Sequence, residues 1–155
     1  SHALEDFKRF HKNKNYRRIF DNQHEFAVLV KDDPELQAQF VDDLAKMAVI
    51  ERALGAARQR EAMQDVYGAW EELQQLRLRD QELFVNDQEL NSQYLDLTTK
   101  ASRLVKLLDD AENARNAKEV GSALGKYMEA KKLYLHSRFA KEGIESLLDE
   151  VLPLK

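Results

Sequence analysis

No cysteine occurs anywhere in this chain of 155 residues. That removes disulfides, thiolate metal centres and thiol catalysis from the functions open to it. Turn residues are scarce, with five glycines and two prolines. A β-sandwich or barrel of this length needs many more, because each strand must end in a turn. There is no run of 18 apolar residues, so no segment reads as a membrane-spanning helix. The opening SHALEDFKRF lacks the apolar stretch of a signal peptide and an initiator methionine, and Ser1-His2 reads as the remnant of a cleaved tag. These absences together favour a single cytoplasmic domain over residues 1–155.

What is present is charge and helical periodicity. Charged residues make up 34% of the chain and the formal net charge is −4. The distribution is uneven. Residues 1–18 carry six bases (Lys8, Arg9, Lys12, Lys14, Arg17, Arg18) and two acids (Glu5, Asp6), a balance of +4, so the remainder carries −8. A basic head on an acidic body is either a binding surface for an anionic partner or the solvated face of a first helix.

Apolar positions recur at helical spacing. From Leu90 the run Tyr94, Leu97, Ala101, Leu104, Leu108, Ala111 alternates steps of four and three, the heptad seam of a coiled coil. Leu36, Phe40, Leu44, Met47, Ile50 and Leu54 trace a similar stripe, with Pro34 at a helix start and Asp32 or Asp33 as its cap. Asn86 or Asp87 caps the 88–111 segment. A third helix is expected over 60–84 through Met63, Val66, Tyr67, Trp70, Leu73, Leu76 and Leu83. A fourth is expected over 117–150, bent near Gly143 and closed by Pro153. Gly55 is expected to end or loosen the second segment. Segments 4–10 and 15–30 complete the set, and the β-branched stretch Phe26–Val30 reads as a buried helix end because no second strand exists to pair with it.

The chain echoes itself. Residues 33–54 laid over 87–108 agree at seven of 22 positions: Asp33/Asp87, Glu35/Glu89, Leu36/Leu90, Gln39/Gln93, Asp42/Asp96, Lys46/Lys100 and Leu54/Leu108. Tyr16/Trp70, Ile19/Leu73 and Leu29/Leu83 keep the same offset of 54 upstream, so the repeat covers 16–54 and 70–108. The expected fold is all-α, an antiparallel bundle of four to five long helices built from a duplicated helical hairpin.

Catalytic constellations are not evident. The four histidines (His2, His11, His24, His136) form no H-x-x-x-H or E-x-x-H pair, so no metal or other cofactor is expected. The acid pairs Asp32-Asp33, Asp42-Asp43 and Asp109-Asp110 point about 100° apart on a helix and cannot act as dyads; the first is a cap and the others read as solvated faces. No nucleophile elbow or phosphate-binding glycine loop occurs, since Gly121-Ser122-Ala123-Leu124-Gly125 lacks the following Lys-Ser/Thr. The expectation is a protein that is not an enzyme.

Two sets of residues are candidates for partner binding. Lys8, Arg9, Lys12, Lys14, Arg17 and Arg18 interleave with Phe10, His11 and Tyr16, the grammar of a single-stranded nucleic-acid contact. Overall acidity argues against strong nonspecific affinity for nucleic acid, so an acidic protein patch or a structured RNA is the partner to consider. Tyr67, Tyr127 and Tyr134 have polar tips and either fill the core or line an interface. A second basic cluster, Lys126, Lys131, Lys132, Arg138 and Lys141, is diluted by Glu129 and Glu142.

Three stretches, NYRRIF (15–20), DDPELQAQF (32–40) and VNDQELNSQYLDLTTKASRLVKLLDDAE (85–112), resemble the YlbF/YmcA-type bacterial regulators, small helical proteins of competence, sporulation and biofilm control. The resemblance covers about 15–112 and departs after 112, where the family has a variable tail and this chain has another helical segment. It implies a non-catalytic adaptor that forms helical oligomers and binds other regulators, including RNA-processing machinery. It carries over no functional residues. The expected function is thus a helical protein–protein interaction module, a regulatory adaptor or assembly factor able to self-associate. The alternative is an RNA- or anion-binding module acting through residues 8–18.

Overall fold

The computed structural model describes residues 2–152, and among them the chain is all-α, with ten helices and no strand. In chain order these are α1 (His2–Lys12), α2 (Tyr16–Asp21), α3 (Gln23–Val30), α4 (Pro34–Ala62), α5 (Val66–Arg79), α6 (Gln81–Asn86), α7 (Gln88–Lys100), α8 (Ser102–Asn116), α9 (Val120–Leu133) and α10 (Arg138–Val151). The four or five long helices of the sequence reading are therefore subdivided. Phe26–Val30 is helical, in α3. Helix α4 starts at Pro34 as expected, with the Asp33 carboxylate accepting the Leu36 N–H at 3.2 Å. Helix α7 starts directly after Asp87, whose carboxylate accepts the Leu90 N–H at 3.1 Å.

The glycine readings need correction. Gly55 does not end its helix: α4 runs on to Ala62, with open space where a Gly55 side chain would stand. Gly143 does not mark a bend either. The break in the last segment falls at residues 134–137, where Ser137 caps α10 by accepting the Ala140 N–H at 3.1 Å. Pro153 lies outside the described residues. No glycine has a positive φ; that conformation falls to Lys14 (55°), Gln64 (62°) and Lys118 (65°).

Those three residues make one turn three times. In each, the left-handed residue donates its N–H three residues back, and the next residue donates five residues back: Lys14 to His11 and Asn15 to Phe10, Gln64 to Glu61 and Asp65 to Arg60, Lys118 to Arg115 and Glu119 to Ala114. This is a Schellman closure. The residue that completes it then begins the following helix, its carbonyl accepting the N–H of Ile19, Ala69 or Ala123. Met63, expected in a core stripe, sits in the second turn and is 72% exposed.

The turn and the capped helix start that follows it occur three times along the chain. The turns are spaced by 50 and then 54 residues, and the capped helix starts at Asp33, Asp87 and Ser137 by 54 and then 50. No single offset aligns all three. Between the two copies of the internal repeat the 54-residue register holds in burial as well as identity. Phe40, Asp43, Met47, Ile50, Leu54 and Ala57 are buried, and so are Tyr94, Leu97, Ala101, Leu104, Leu108 and Ala111.

The chain divides into two compact units, Ser1–Ala56 with Gln75–Gln93, and Ala57–Gln74 with Tyr94–Lys155. In unit 1, α1, α2 and α3 pack on one another around Phe7, Ile19, Phe26, Val30 and Phe40. The Phe7 ring meets Phe26 and Phe40 edge-on, with centroids 5.4 and 6.1 Å away, the geometry that aromatic quadrupoles favour. In unit 2, α8, α9 and α10 pack through small residues. Ala111, Ala114, Ala123, Ala130 and Ala140 are buried, which lets backbones approach closely. Helices α9 and α10 approach closely at Gly143: a Cβ there would stand 2.5 Å from the Tyr127 ring. A bend at Ala101 (φ −98°, ψ 22°) separates α7 from α8 and interrupts the heptad run, whose seven positions are nonetheless all buried.

Candidate functional site

The basic head lies in unit 1, where its cations divide into two groups. Arg17 is held inside the fold. Its Nε and Nη2 donate to the two carboxylate oxygens of buried Asp87 at 3.0 and 2.8 Å, and its Nη1 lies 3.2 Å from Glu51 and 2.8 Å from Glu89. Three acids raise its pKa, the Asp87 hydrogen bonds most of all. Since Asp87 caps α7, Arg17 fixes the start of a helix 70 residues away in sequence. Lys14 pairs with Glu82 at 2.7 Å, and Arg9 with Asp6 at 2.9 Å. Arg9 and Arg18 both stand over the Phe10 ring, 5.1 and 5.7 Å from its centroid. Lys8 and Lys12 are exposed and make no ion pair with a described residue. Of the six bases, then, Lys14 and Arg17 are tied to distant acids of the same unit.

His11 and Asp43 correct a further expectation. Asp43 is only 2% exposed, not on a solvated face, and His11 Nδ1 lies 2.7 Å from its Oδ2. Burial raises the Asp43 pKa and the histidine contact partly offsets it. Asp43 occupies the repeat position where Leu97 stands, which explains a buried acid inside an apolar stripe.

The three candidate tyrosines all lie in unit 2. Tyr127 is buried between α8 and α10 and donates its O–H to Glu112 at 3.0 Å. Tyr134 and Tyr67 are half-buried, with ring centroids 5.7 Å apart. Tyr134 donates to Asp65 at 3.2 Å, and burial with the nearby Asp65 charge pushes its pKa up to about 12. Arg60 bridges the same Asp65 (3.1 Å) to Glu72 (3.1 Å). Arg60, Glu72 and Tyr134 line a polar cavity of about 370 Å³ with Gly68, Glu71, His136 and Arg138. Its floor is internally satisfied. Buried Glu71 accepts the Ser137 O–H at 2.6 Å and the Arg138 N–H at 2.9 Å, so a carboxylate of α5 caps α10. Burial holds the Glu71 pKa above the usual range, against the pull of those hydrogen bonds. The arrangement is structural: it closes a helix start.

Two open clefts lie beside the basic head, one of about 600 Å³ lined by Lys12 and Lys14 with Glu82 and one of about 530 Å³ lined by Arg17 and Arg18 with Asp21, Asp87 and Glu89, and a third groove of about 560 Å³ runs along α8 and α9. Helix α8 supplies Arg103, Lys106, Leu107 and Asp110, one face at i, i+3, i+4 and i+7; α9 supplies Lys126, Glu129, Lys132 and Leu133. Half-buried Leu107 and Leu133 form an apolar floor. Lys106 pairs with Asp110 at 3.1 Å and Lys126 with Glu129 at 3.4 Å, while Arg103 and Lys132 make no ion pair with a described residue. The groove is thus +2 within a chain of −4. Lys126 and Lys132 were visible as part of the diluted second cluster. Arg103 and Lys106 were missed, because only the pairing of α8 with α9 brings them alongside.

Among the described residues no group of three or more histidines or acids is placed to hold a metal ion, and no helix is long and apolar enough to cross a membrane. Set against known protein families, characterised proteins and solved structures, the chain matches none of them.

Proposed function

We propose that this chain is a non-catalytic helical interaction module, a regulatory adaptor or assembly factor, and that it binds protein through the α8–α9 groove. One observation carries the reading: the groove combines an apolar floor with a net positive rim in a chain whose net charge is −4. A helix whose apolar stripe fills such a groove, with acids flanking it, buries surface and pairs charge at once. The groove offers no aromatic ring on which a base could stack, which favours protein over single-stranded nucleic acid. Adaptor function also agrees with the YlbF/YmcA resemblance.

The test is a photo-crosslinking residue placed at Leu107. A discrete protein adduct, lost in R103E/K132E while helicity is unchanged, is the expected outcome. Retention of RNA instead, or adducts unaffected by the reversal, would overturn the reading.

A further inference from the structure

We infer that the occupant of the α8–α9 groove is the outer face of α10 from a second copy of this chain; this rests on the interaction-module reading above. Helix α10 buries Ala140, Gly143 and Leu147 against its own unit. The opposite side of the helix carries Glu142, Glu145, Leu148 and Asp149, and Leu152 follows as its C-terminal cap, all exposed. Leu148 and Leu152 lie one turn apart and are 39% and 65% exposed. Glu142, Glu145 and Asp149 make no ion pair with a described residue, unlike Glu150, which is held by Arg115 at 3.0 Å. Arg138 and Lys141, also exposed on this side, leave the stripe at −1.

The two faces are complementary. A pair of leucines one turn apart meets a floor of two leucines, one from each groove helix. A net negative stripe meets a net +2 groove, and the unpaired acids of the one find the unpaired Arg103 and Lys132 of the other. Within one chain the stripe points away from the helices that α10 packs on, so only another molecule can bring the two together. Because the donating and receiving faces differ, the contact is head-to-tail. Each copy then offers one free groove and one free stripe, and association proceeds to a ring or an open chain rather than stopping at a symmetric pair.

The experiment is sedimentation equilibrium of the full chain over micromolar to millimolar concentration, with charge-swap variants at exposed positions. Wild type is expected to rise above its monomer mass of 18.0 kDa with concentration, less so at high salt. R103E/K132E alone and E145K/D149K alone should each weaken self-association by about tenfold or more. Mixed in equal amounts, the two variants should associate again, since each groove then faces a stripe of opposite charge. A single chain carrying all four changes should likewise recover. Circular dichroism verifies that each variant keeps its helicity. A wild type that stays monomeric throughout, or variants whose mixture does not recover, would sink the inference. If the groove then still crosslinks a different protein, the interaction reading survives without the second copy. If it crosslinks nothing, or retains RNA, both fail together.

Discussion

Unit 1 and unit 2 each fasten a helix start with a charged side chain far away in sequence, and they do it with opposite signs. In unit 1 the cap is an acid, Asp87, and the remote partner is a cation, Arg17, that grips it with two parallel bonds. In unit 2 the cap is a hydroxyl, Ser137, and the remote partner is the acid Glu71, which takes the Ser137 O–H and the Arg138 N–H directly. The Arg17 side chain stays 27% exposed and shares its charge among three acids, so its solvation is only partly lost. Glu71 is 7% exposed, and its raised pKa shows that burial outweighs the bonds it accepts. A half-solvated guanidinium clamp loosens gradually when disturbed, whereas a buried carboxylate leaves orphaned donors when removed.

The largest effect should come from breaking the unit 2 clasp. Glu71→Ala strands the Ser137 hydroxyl and the first N–H groups of α10, and should cost about 3 kcal/mol in urea unfolding. Glu71→Gln keeps an acceptor and should cost about 1 kcal/mol. Next comes the close approach beside it: Gly143→Ala should cost about 2 kcal/mol by pushing the Tyr127 ring, while Gly55→Ala, on an open helix face, should gain up to about 1 kcal/mol. Equal effects at the two glycines would remove packing as the cause. In unit 1, Arg17→Ala should cost about 1–2 kcal/mol, with Arg17→Lys recovering only part, since an ammonium cannot span both Asp87 oxygens. If it proved costlier than Glu71→Ala, the contrast between the units would be reversed. Gln64→Gly and Lys118→Gly should each stabilise by about 0.5–1 kcal/mol, because glycine adopts the positive φ without strain. Lys14→Gly should gain less, as it also loses the Glu82 pair.

The smallest effect is in pH. Glu71 binds its proton more tightly in the folded chain than in the unfolded one, so its contribution to stability is present at low pH and is lost as pH rises above the ordinary value of 4.5 and through the raised folded value. Wild type should therefore lose stability relative to Glu71→Gln across that window. A difference that is flat in pH, or grows the other way, would show that the hydrogen bonds outweigh burial.

Helices and their buried faces were legible because apolar side chains at steps of three and four report the face directly. All seven heptad positions from Leu90 to Ala111 are buried, and Asp33 and Asp87 cap where a short acceptor before an apolar run predicts. Turns were not legible from glycine. The left-handed positions are occupied by lysine, glutamine and lysine, while the glycines sit inside helices. Gly143 reads as a weak point in a helix until Tyr127 is known to lie against it. Asp43 reads as surface because its partner His11 is 32 residues away. The third turn and capped start stayed hidden since they are offset from the earlier pairs by different amounts. For the same reason the candidate groove was half legible: its α9 lysines cluster in sequence, but its α8 bases gain meaning only from the helix opposite.

The thrice-repeated turn also bears on the order in which the chain folds. Each closes through bonds spanning three and five residues, so each hairpin can begin forming with little loop entropy to overcome. The two clasps instead close loops of 70 and 66 residues. Local hairpins are therefore expected to form first, with the remote charges locking them afterwards. Substitutions at Arg17 and Glu71 should accelerate unfolding while leaving the folding rate nearly unchanged.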